Sequence, residues 1–222
     1  MKREIVKTSD GSTTIHLPDW NENYHSTHGA IQESNHVFID KGLSVISLTE
    51  ISILEIGFGT GLNCFLTLLE AEKRKITVNY IGVEAYPVTE EEAIQLNYVS
   101  ELNVDERQAV FNQLHQVSWE ENHEVLPGFF LEKRKQFFKD IEAANQFDLI
   151  YFDAFGAEHQ PELWSVGIFR IMFEAMKENG VLVTYCAKGS VRRAMQEVGF
   201  IVERLDGPPG KREMLRATKH SA

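Results

Sequence analysis

The chain has 222 residues, of which 43% are apolar and 25% are charged, a composition typical of a folded globular protein. No apolar run approaches the roughly 18 residues of a membrane-spanning helix, and the start is too polar for a signal peptide, so we expect a cytoplasmic protein with no membrane partner. Two cysteines and no metal-type spacing of His or Cys disfavour a disulfide framework and predict no metal site, and the net charge of −11 at first sight disfavours a nucleic-acid partner.

The first 48 residues form an N-terminal extension in this interpretation, and the main domain follows at 49–222. A short strand is predicted at 13–17. Ile31, Val37 and Phe38 lie at helical spacing and predict a helix over 28–41, which Gly42 would end.

From residue 51 onward, predicted strands alternate with predicted helices. The strands lie near 51–56, 78–84, 136–141, 147–153, 180–186, 200–205 and 213–218, and the helices near 61–73, 89–98, 165–178 and 188–198. The strand at 147–152 is almost wholly apolar, as a central parallel strand would be. Too few residues separate the last two strands for a helix, so these strands must pair as an antiparallel hairpin. We therefore predict an α/β, Rossmann-like fold with a mostly parallel seven-stranded sheet, an antiparallel C-terminal hairpin and an N-terminal extension.

A glycine-rich loop follows the first of these strands. Gly57, Gly59 and Gly61 alternate between an apolar strand and a predicted helix, where glycine allows positive φ and the close approach of a ligand. The dinucleotide fingerprint would need its third glycine one residue later, where this chain has Leu62. The shorter glycine spacing and the C-terminal hairpin are typical of class I methyltransferases, so we predict S-adenosylmethionine as the cofactor.

Three acids stand near the carboxyl ends of predicted strands, the edge where open α/β sheets bind ligands. Glu55 can accept a bond from the cofactor's amino group, and Glu84 can hold both ribose hydroxyls. Asp140, at the end of the predicted third strand, can accept a bond from the adenine amine. Phe58 and Asn63, in and just after the glycine loop, complete the predicted cofactor contacts.

The fourth strand ends in a turn with the residues that amine methylation needs. Enzymes that methylate amines carry Asn or Asp followed by an aromatic residue at this position, and here Asp153 and Phe155 stand there. A carboxylate can accept an N–H bond from the amine, aim its lone pair and stabilise the charge that develops on nitrogen. Phe155 can stack on a flat base. We predict that Asp153 and Phe155 are catalytic.

Several segments resemble the tRNA wobble-uridine aminomethyl methyltransferases, the methyltransferase half of the bifunctional MnmC type, which also occurs alone as MnmD. The resemblance extends from about Tyr24 to Ala217 and is carried by residues 54–63, 151–155, 161–165, 184–189, 191–195 and 210–215. It implies methylation of 5-aminomethyl-(2-thio)uridine at the wobble position to the 5-methylaminomethyl form, with a tRNA anticodon loop as partner.

The resemblance also implies roles for individual residues. Asp153 and Phe155 match the family's catalytic turn, and the glycine loop with Glu55, Glu84 and Asp140 matches its cofactor site. Less closely, a segment expected to lie over the cofactor is matched by Tyr24, His25, Ser26 and Glu33.

Two departures from the family bear on function. The bifunctional relatives carry a flavin oxidoreductase domain, and this sequence stops at Ala222. We therefore expect methylation only, without FAD. Residues 156–160 lack the more basic or proline-containing turn of many relatives, which leaves the exact substrate open.

The distribution of charge moderates the argument against RNA. From Val181 onward, eight lysines and arginines face four acids, which leaves −15 on the first 180 residues. We predict that one basic face beside the pocket binds tRNA and is formed by Lys188, Arg192, Arg193, Lys211 and Arg212. The alternative is that these charges are scattered and solvated.

Other functions stay open at this point. A spermidine-synthase-like aminopropyltransferase shares the fold and the acidic ribose ligand, and another small-amine methyltransferase would share the catalytic turn. A non-catalytic Rossmann module would need no such turn. The sequence leaves open the tRNA substrates, the need for the 2-thio group and the oligomeric state.

Overall fold

The structure, a computed structural model, describes residues 2–220. It begins with a small antiparallel sheet of three strands, ordered β1-β2-β3 and formed by β1 (Glu4–Lys7), β2 (Thr13–Leu17) and β3 (Glu22–Asn23). The predicted strand at 13–17 is confirmed as β2. This sheet is separate from the main sheet.

The main sheet has eight strands in the order β10-β11-β9-β8-β4-β5-β7-β6. Its members are β4 (Glu50–Ile56), β5 (Thr77–Val83), β6 (Asn122–Leu126), β7 (Phe129–Arg134), β8 (Phe147–Phe152), β9 (Met176–Thr184), β10 (Ile201–Asp206) and β11 (Glu213–Thr218). The five strands from β9 to β7 run parallel, β11 pairs antiparallel with both β9 and β10, and β6 pairs antiparallel with β7. Every residue of β8 is buried, which confirms its central position.

Helices cover both faces of this sheet. The α-helices are α1 (Ala30–Ser34), α2 (Leu62–Arg74), α3 (Glu90–Ala93), α4 (Tyr98–Glu101), α5 (Gln108–Gln116), α6 (Val166–Ala175) and α7 (Gly189–Glu197). A π-helix covers Asn35–Asp40, and 3-10 helices cover Leu43–Val45, Asp105–Arg107, Phe138–Asp140 and Pro161–Trp164. Two apolar clusters, one on each face, hold the helices to the sheet. None of the helices within residues 2–220 is long and apolar enough to cross a membrane.

The connections place a topological switch point at the centre of the sheet. From β4 the chain crosses to β5 on one side, and β8 later takes the position on the other side of β4. The loops after β4 and β8 therefore diverge from neighbouring strand ends, which is where open α/β sheets form ligand crevices. These loops carry the glycines and the Asp153 turn.

Most predicted elements of the main domain are confirmed, but the third strand was wrong. Residues 136–141 contain the 3-10 helix Phe138–Asp140, and the strand lies earlier, at Phe129–Arg134. Phe129–Arg134 alternates buried and half-buried residues, and it forms a hairpin with β6 across Gly128, whose φ is +81°. This extra hairpin strand makes the sheet eight-stranded instead of seven-stranded.

Two predicted helices are also divided. The helix predicted near 89–98 is two short helices, α3 and α4. The helix predicted over 28–41 is α1 followed directly by the π-helix Asn35–Asp40. Apolar spacing reports which residues face the core, and it does not report where the helical hydrogen bonds change register.

Candidate active site

A cavity of about 1350 Å³ lies at the carboxyl edge of the parallel strands. Its walls come from the loops after β4, β5, β7, β8 and β9 and from the N-terminal segment between β2 and α1. This volume exceeds the roughly 300–1,000 Å³ of a typical small-molecule site. It therefore has room for a nucleoside-sized cofactor together with a second ligand.

The glycine loop is wedged between the β8 turn and the N-terminal segment. Gly57 has φ +91°, and a Cβ there would lie 2.5 Å from the carbonyl oxygen of Asp153. Gly59 has φ +49°, and its Cβ would lie 3.1 Å from the ring of Tyr24. Gly61 has φ +72°, at the start of α2. Side chains at these positions would strain the backbone, and at Gly57 and Gly59 they would press against Asp153 and Tyr24 of the cavity wall.

Glu84 follows the last residue of β5 and lines the cavity, where the sequence predicted it. Its two carboxylate oxygens accept backbone N–H groups from Gly59, at 3.1 Å, and from Tyr86, at 2.9 Å. The carboxylate is thus fixed against the glycine loop. A carboxylate retains acceptor capacity after one bond per oxygen, so it can also hold vicinal hydroxyls.

Glu55 lies one layer behind the cavity wall. It is fully buried, and it accepts bonds from the Tyr80 hydroxyl at 2.8 Å and from the Asn63 amide at 3.0 Å. Burial raises the pKa of Glu55 well above its usual range. Glu55 is not among the residues that line the cavity, whereas Asn63 is.

Asn63 connects this buried layer to the β8 turn. Its amide nitrogen donates to Glu55 and also to Asp153, at 2.8 Å. Its amide oxygen is buried and has no hydrogen-bond partner. The side chain therefore orients Asp153 with one end and offers an unused acceptor at the other.

Asp153 stands in the cavity wall and is half-buried. Burial raises its pKa to about 7, with a further increase from the charge of Glu33, against opposing effects of the Asn63 hydrogen bond and the Lys211 charge. At neutral pH the carboxyl group is therefore balanced between its charged and neutral forms. A group balanced in this way suits proton transfer near pH 7.

Phe155 is packed edge to face by two aromatic side chains of the N-terminal segment. Ring centroids are 5.8 Å apart for Trp20 and 4.9 Å apart for Tyr24. The backbone carbonyl of Phe155 accepts the Trp164 indole N–H at 2.8 Å, which fixes the turn. Phe155, Trp20 and Tyr24 all line the cavity. Sequence reasoning missed Trp20, since no periodic pattern marks this loop residue.

A histidine in the chain after β8 also contacts the N-terminal segment. Trp20 stacks on His159 with centroids 6.2 Å apart, and the His159 ring lies 2.8 Å from a carboxylate oxygen of Glu22. His25 also lines the cavity, and burial lowers its pKa to about 4, so it is neutral at pH 7. The segment thus joins the wall through both aromatic and polar contacts.

Four of the predicted cofactor residues do not line the cavity, namely Glu33, Glu55, Gly61 and Asp140. Asp140 is exposed at the end of the 3-10 helix Phe138–Asp140, and not at a strand end as predicted, because the strand it was assigned to does not exist. Its neighbours Phe137 and Lys139 line the cavity. Glu33 is buried and forms an ion pair with Lys211 behind Asp153.

The five predicted tRNA-binding residues lie in two places. Lys188 immediately precedes α7 and pairs with Glu158 at 2.8 Å, and Arg192 and Arg193 lie on α7 itself. Lys211 and Arg212 lie in the loop between β10 and β11, where Arg212 is exposed and Lys211 is engaged by Glu33. Within residues 2–220, no group of three His, Cys, Asp or Glu side chains is arranged to hold a metal ion.

The mostly parallel sheet, the antiparallel ending and the glycine loop beside Glu84 define a Rossmann-like methyltransferase fold. Residues 95–220 match the model of a family described as S-adenosyl-L-methionine-dependent methyltransferases, and the chain belongs to this family.

Individual relatives agree with this assignment. The chain is 29% identical over 218 residues to the tRNA 5-methylaminomethyl-2-thiouridine biosynthesis bifunctional protein MnmC of Burkholderia multivorans, a match that covers 91% of the chain and 33% of that protein. The chain thus spans about a third of the length of the curated relatives it matches. The crystal structure of MNMC2 from Aquifex aeolicus is similar over 99% of this chain and 71% of that one, with a TM-score of 0.77 and 26% identity.

A spermidine synthase from Thermotoga maritima is more distant. The match covers 99% of this chain and 72% of the spermidine synthase chain, with a TM-score of 0.57 and 15% identity. That likeness shows a shared fold alone.

Proposed function

We propose that the protein transfers a methyl group from S-adenosylmethionine to the aminomethyl nitrogen of 5-aminomethyl-(2-thio)uridine at the wobble position of tRNA. The observation that carries the proposal is Asp153, a carboxyl group in the cavity wall whose pKa burial raises to about 7. The resemblance to the wobble-uridine methyltransferases and the names of the relatives supply the substrate.

The residues of the cavity fit the cofactor. The Asn63 amide oxygen is buried without a partner, so a donor such as the amino group of the methionine moiety would complete its bonding. Asn63 thereby takes the role first assigned to Glu55, which would act from behind by holding the amide. The Glu84 carboxylate would bind the ribose hydroxyls, and the absence of a side chain at Gly59 keeps the adjoining space open.

Aromatic side chains flank the part of the cavity beyond Glu84. Tyr86 and Phe137 are 66% and 51% exposed, and their rings meet edge to face with centroids 6.2 Å apart. Such exposed apolar surface beside a cavity is typical of a binding site. We assign these two residues to the flat adenine base, in place of the contact expected from Asp140.

When bound, the cofactor supplies an electrophilic methyl group. The Asp153 carboxylate accepts an N–H bond from the acceptor amine, aims its lone pair and receives the surplus proton as the nitrogen gains its fourth bond. Phe155 would stack on the uracil ring, and the aromatic packing of Trp20 and Tyr24 holds it in place. The buried amide of Asn63 keeps the carboxylate oriented.

The N-terminal extension, assigned to 1–48, would cover the bound cofactor and acceptor. Leu17, Trp20, Tyr24 and His25 already contribute to the cavity wall. An anticodon-loop base is single-stranded and can enter such a pocket at modest cost. The basic residues on and before α7, with Arg212, would contact the flanking phosphates. A tRNA substrate also implies a cytoplasmic protein.

The test is mass spectrometry of nucleosides from undermodified tRNA after incubation with the protein and S-adenosylmethionine. The proposal requires the mass of the 5-aminomethyl nucleoside to increase by about 14 Da, because a methyl group replaces one hydrogen on the amine nitrogen. A parallel reaction with decarboxylated S-adenosylmethionine and a polyamine tests the aminopropyltransferase alternative. Unchanged nucleosides together with product in the parallel reaction would replace this proposal by that alternative.

A further inference from the structure

The N-terminal segment and the loop between β10 and β11 pack together behind the cavity. The His36 ring lies 2.8 Å from the carbonyl oxygen of Asp206, at the end of β10. Gly210 has φ +84°, and a Cβ at this position would overlap the His28 ring. The close approach fixes the loop against the segment and brings Lys211 to Glu33.

In the Glu33–Lys211 ion pair the carboxylate is buried, and the Lys211 side chain is 31% exposed. Glu33 is 6% exposed, and its second carboxylate oxygen accepts the backbone N–H of Ser26 at 2.8 Å. The Lys211 ammonium also lies 4.0 Å from the centroid of the Tyr185 ring. Because buried charges are costly, a pair held by this many partners is built into the fold and is not a loose surface contact.

Contacts connect the pair to the catalytic turn. The Tyr185 hydroxyl donates to the carbonyl oxygen of Ala154 at 2.8 Å, and Ala154 directly follows Asp153. Neither Glu33 nor Lys211 lines the cavity, so we expect neither to contact a ligand there. Any effect of the pair on the reaction must therefore pass through Tyr185, the turn and the electric field at Asp153.

Both charges of the pair act on Asp153, with opposite signs. The negative charge of Glu33 raises the pKa of Asp153, and the positive charge of Lys211 lowers it by a smaller amount. Two further titratable groups face Asp153 from other elements, Glu55 on β4 and Tyr185 after β9. Burial raises the pKa of each of these two well above its usual range, so Glu33 and Lys211 are the charged neighbours.

We propose that Glu33 and Lys211 are positioning residues that set the charge state of Asp153 and thereby the pH range in which the protein methylates an amine. The proposal rests on the proposed function, in which Asp153 receives the amine's proton. A general base works best when it titrates near the operating pH. The Lys211 charge alone would make the carboxylate a weaker base, and the Glu33 charge alone would favour its protonated form.

The test measures the titration of Asp153 directly, by carbon NMR of aspartate carboxyl groups in the full chain without cofactor. The Asp153 signal is assigned by its loss in Asp153→Asn. We expect Glu33→Gln to lower the titration midpoint by about one pH unit and Lys211→Met to raise it by less. The double variant should fall between the two single variants.

Opposite shifts from the two halves of one ion pair distinguish an electrostatic role from a structural one. His36→Ala is the matched control, because it removes a contact at the same interface without removing a charge at Asp153, and its midpoint should equal that of the wild type. Shifts in the same direction, absent shifts, or an equal shift in His36→Ala would overturn the proposal.

A second measurement connects the titration to activity. The acidic limb of the pH profile of kcat should move to lower pH in Glu33→Gln and to higher pH in Lys211→Met, by the same amounts as the NMR midpoints. If the NMR shifts occur while no variant or wild type methylates tRNA, the proposed function fails and the electrostatic role of the pair stands. If methylation occurs and the midpoints do not move, the pair's role is refuted and the proposed function stands.

Discussion

We expect the ionisation of Asp153 to lower the free energy of unfolding at neutral pH, and we expect Asp153→Asn to be free of this loss. Asn has nearly the same shape and can still accept the bond from Asn63 through its amide oxygen, so the substitution removes the ionisation and keeps this contact. The pKa of Asp153 is about 7 in the folded protein, against 3.8 for an ordinary aspartate. Between these values the folded state binds a proton that the unfolded state releases, so the free energy of unfolding falls as pH rises through this window.

The magnitude follows from the width of the window. Between pH 5 and pH 8, Asp153 is ionised in the unfolded state, and in the folded state it stays protonated up to about pH 7. The free energy of unfolding therefore falls over about two pH units. At about 1.4 kcal/mol per unit, the loss is on the order of 2–3 kcal/mol. Asp153→Asn lacks this loss, so its advantage over the wild type should grow by that amount between pH 5 and pH 8.

Urea unfolding followed by circular dichroism at pH 5, 6, 7 and 8 measures the difference. The slope of free energy against urea should be the same in both proteins, which shows that the comparison concerns stability alone. Parallel stability curves for wild type and variant across this pH range would refute the raised pKa of Asp153 and the reasoning built on it.

The remaining predictions concern the cofactor, the chemistry and the RNA. Gly59→Val should abolish S-adenosylmethionine binding in calorimetry, because valine resists φ +49° and its side chain would meet Tyr24; unchanged affinity in a folded variant would contradict the cofactor site. Glu84→Ala should weaken cofactor binding by roughly 1.5–3 kcal/mol, the range for a lost charge-assisted hydrogen bond, and a smaller loss would remove the ribose role. Asp153→Ala should lower kcat by about 10²-fold or more with nearly unchanged cofactor affinity, and the wild-type rate should fall below about pH 7 as Asp153 takes up a proton. Equal losses in rate and binding would make Asp153 a cofactor ligand, and a flat rate from about pH 6 to 9 would count against Asp153 as the group that receives the amine's proton. Arg193→Ala with Arg212→Ala should raise the KM for tRNA several-fold and flatten its dependence on salt, and unchanged kinetics would locate RNA binding elsewhere.

Local patterns in the sequence determined the fold class and the residues at strand ends. The apolar strand 147–152 and the alternating glycines predicted β8 and the loop after β4, since burial on both faces and positive φ each leave a mark on a few consecutive residues. Glu84 and Asp153 followed from these elements because the carboxyl ends of parallel strands meet at one edge. The failure at Asp140 has the same origin, because the adjacent pair Phe137 and Phe138 resembles a short apolar strand.

Only the tertiary structure decided which side chains meet. Asn63 donates to both Glu55 and Asp153, and Asp153 lies 90 residues further along the chain. Asn63 lines the cavity, whereas Glu55 lies behind it. Lys211 was predicted to bind RNA from its position in the chain, and only the fold shows that it pairs with Glu33, 178 residues away. Periodicity reports the face on which a residue lies but not its partner on a distant loop, and the charge of a buried group depends on that partner.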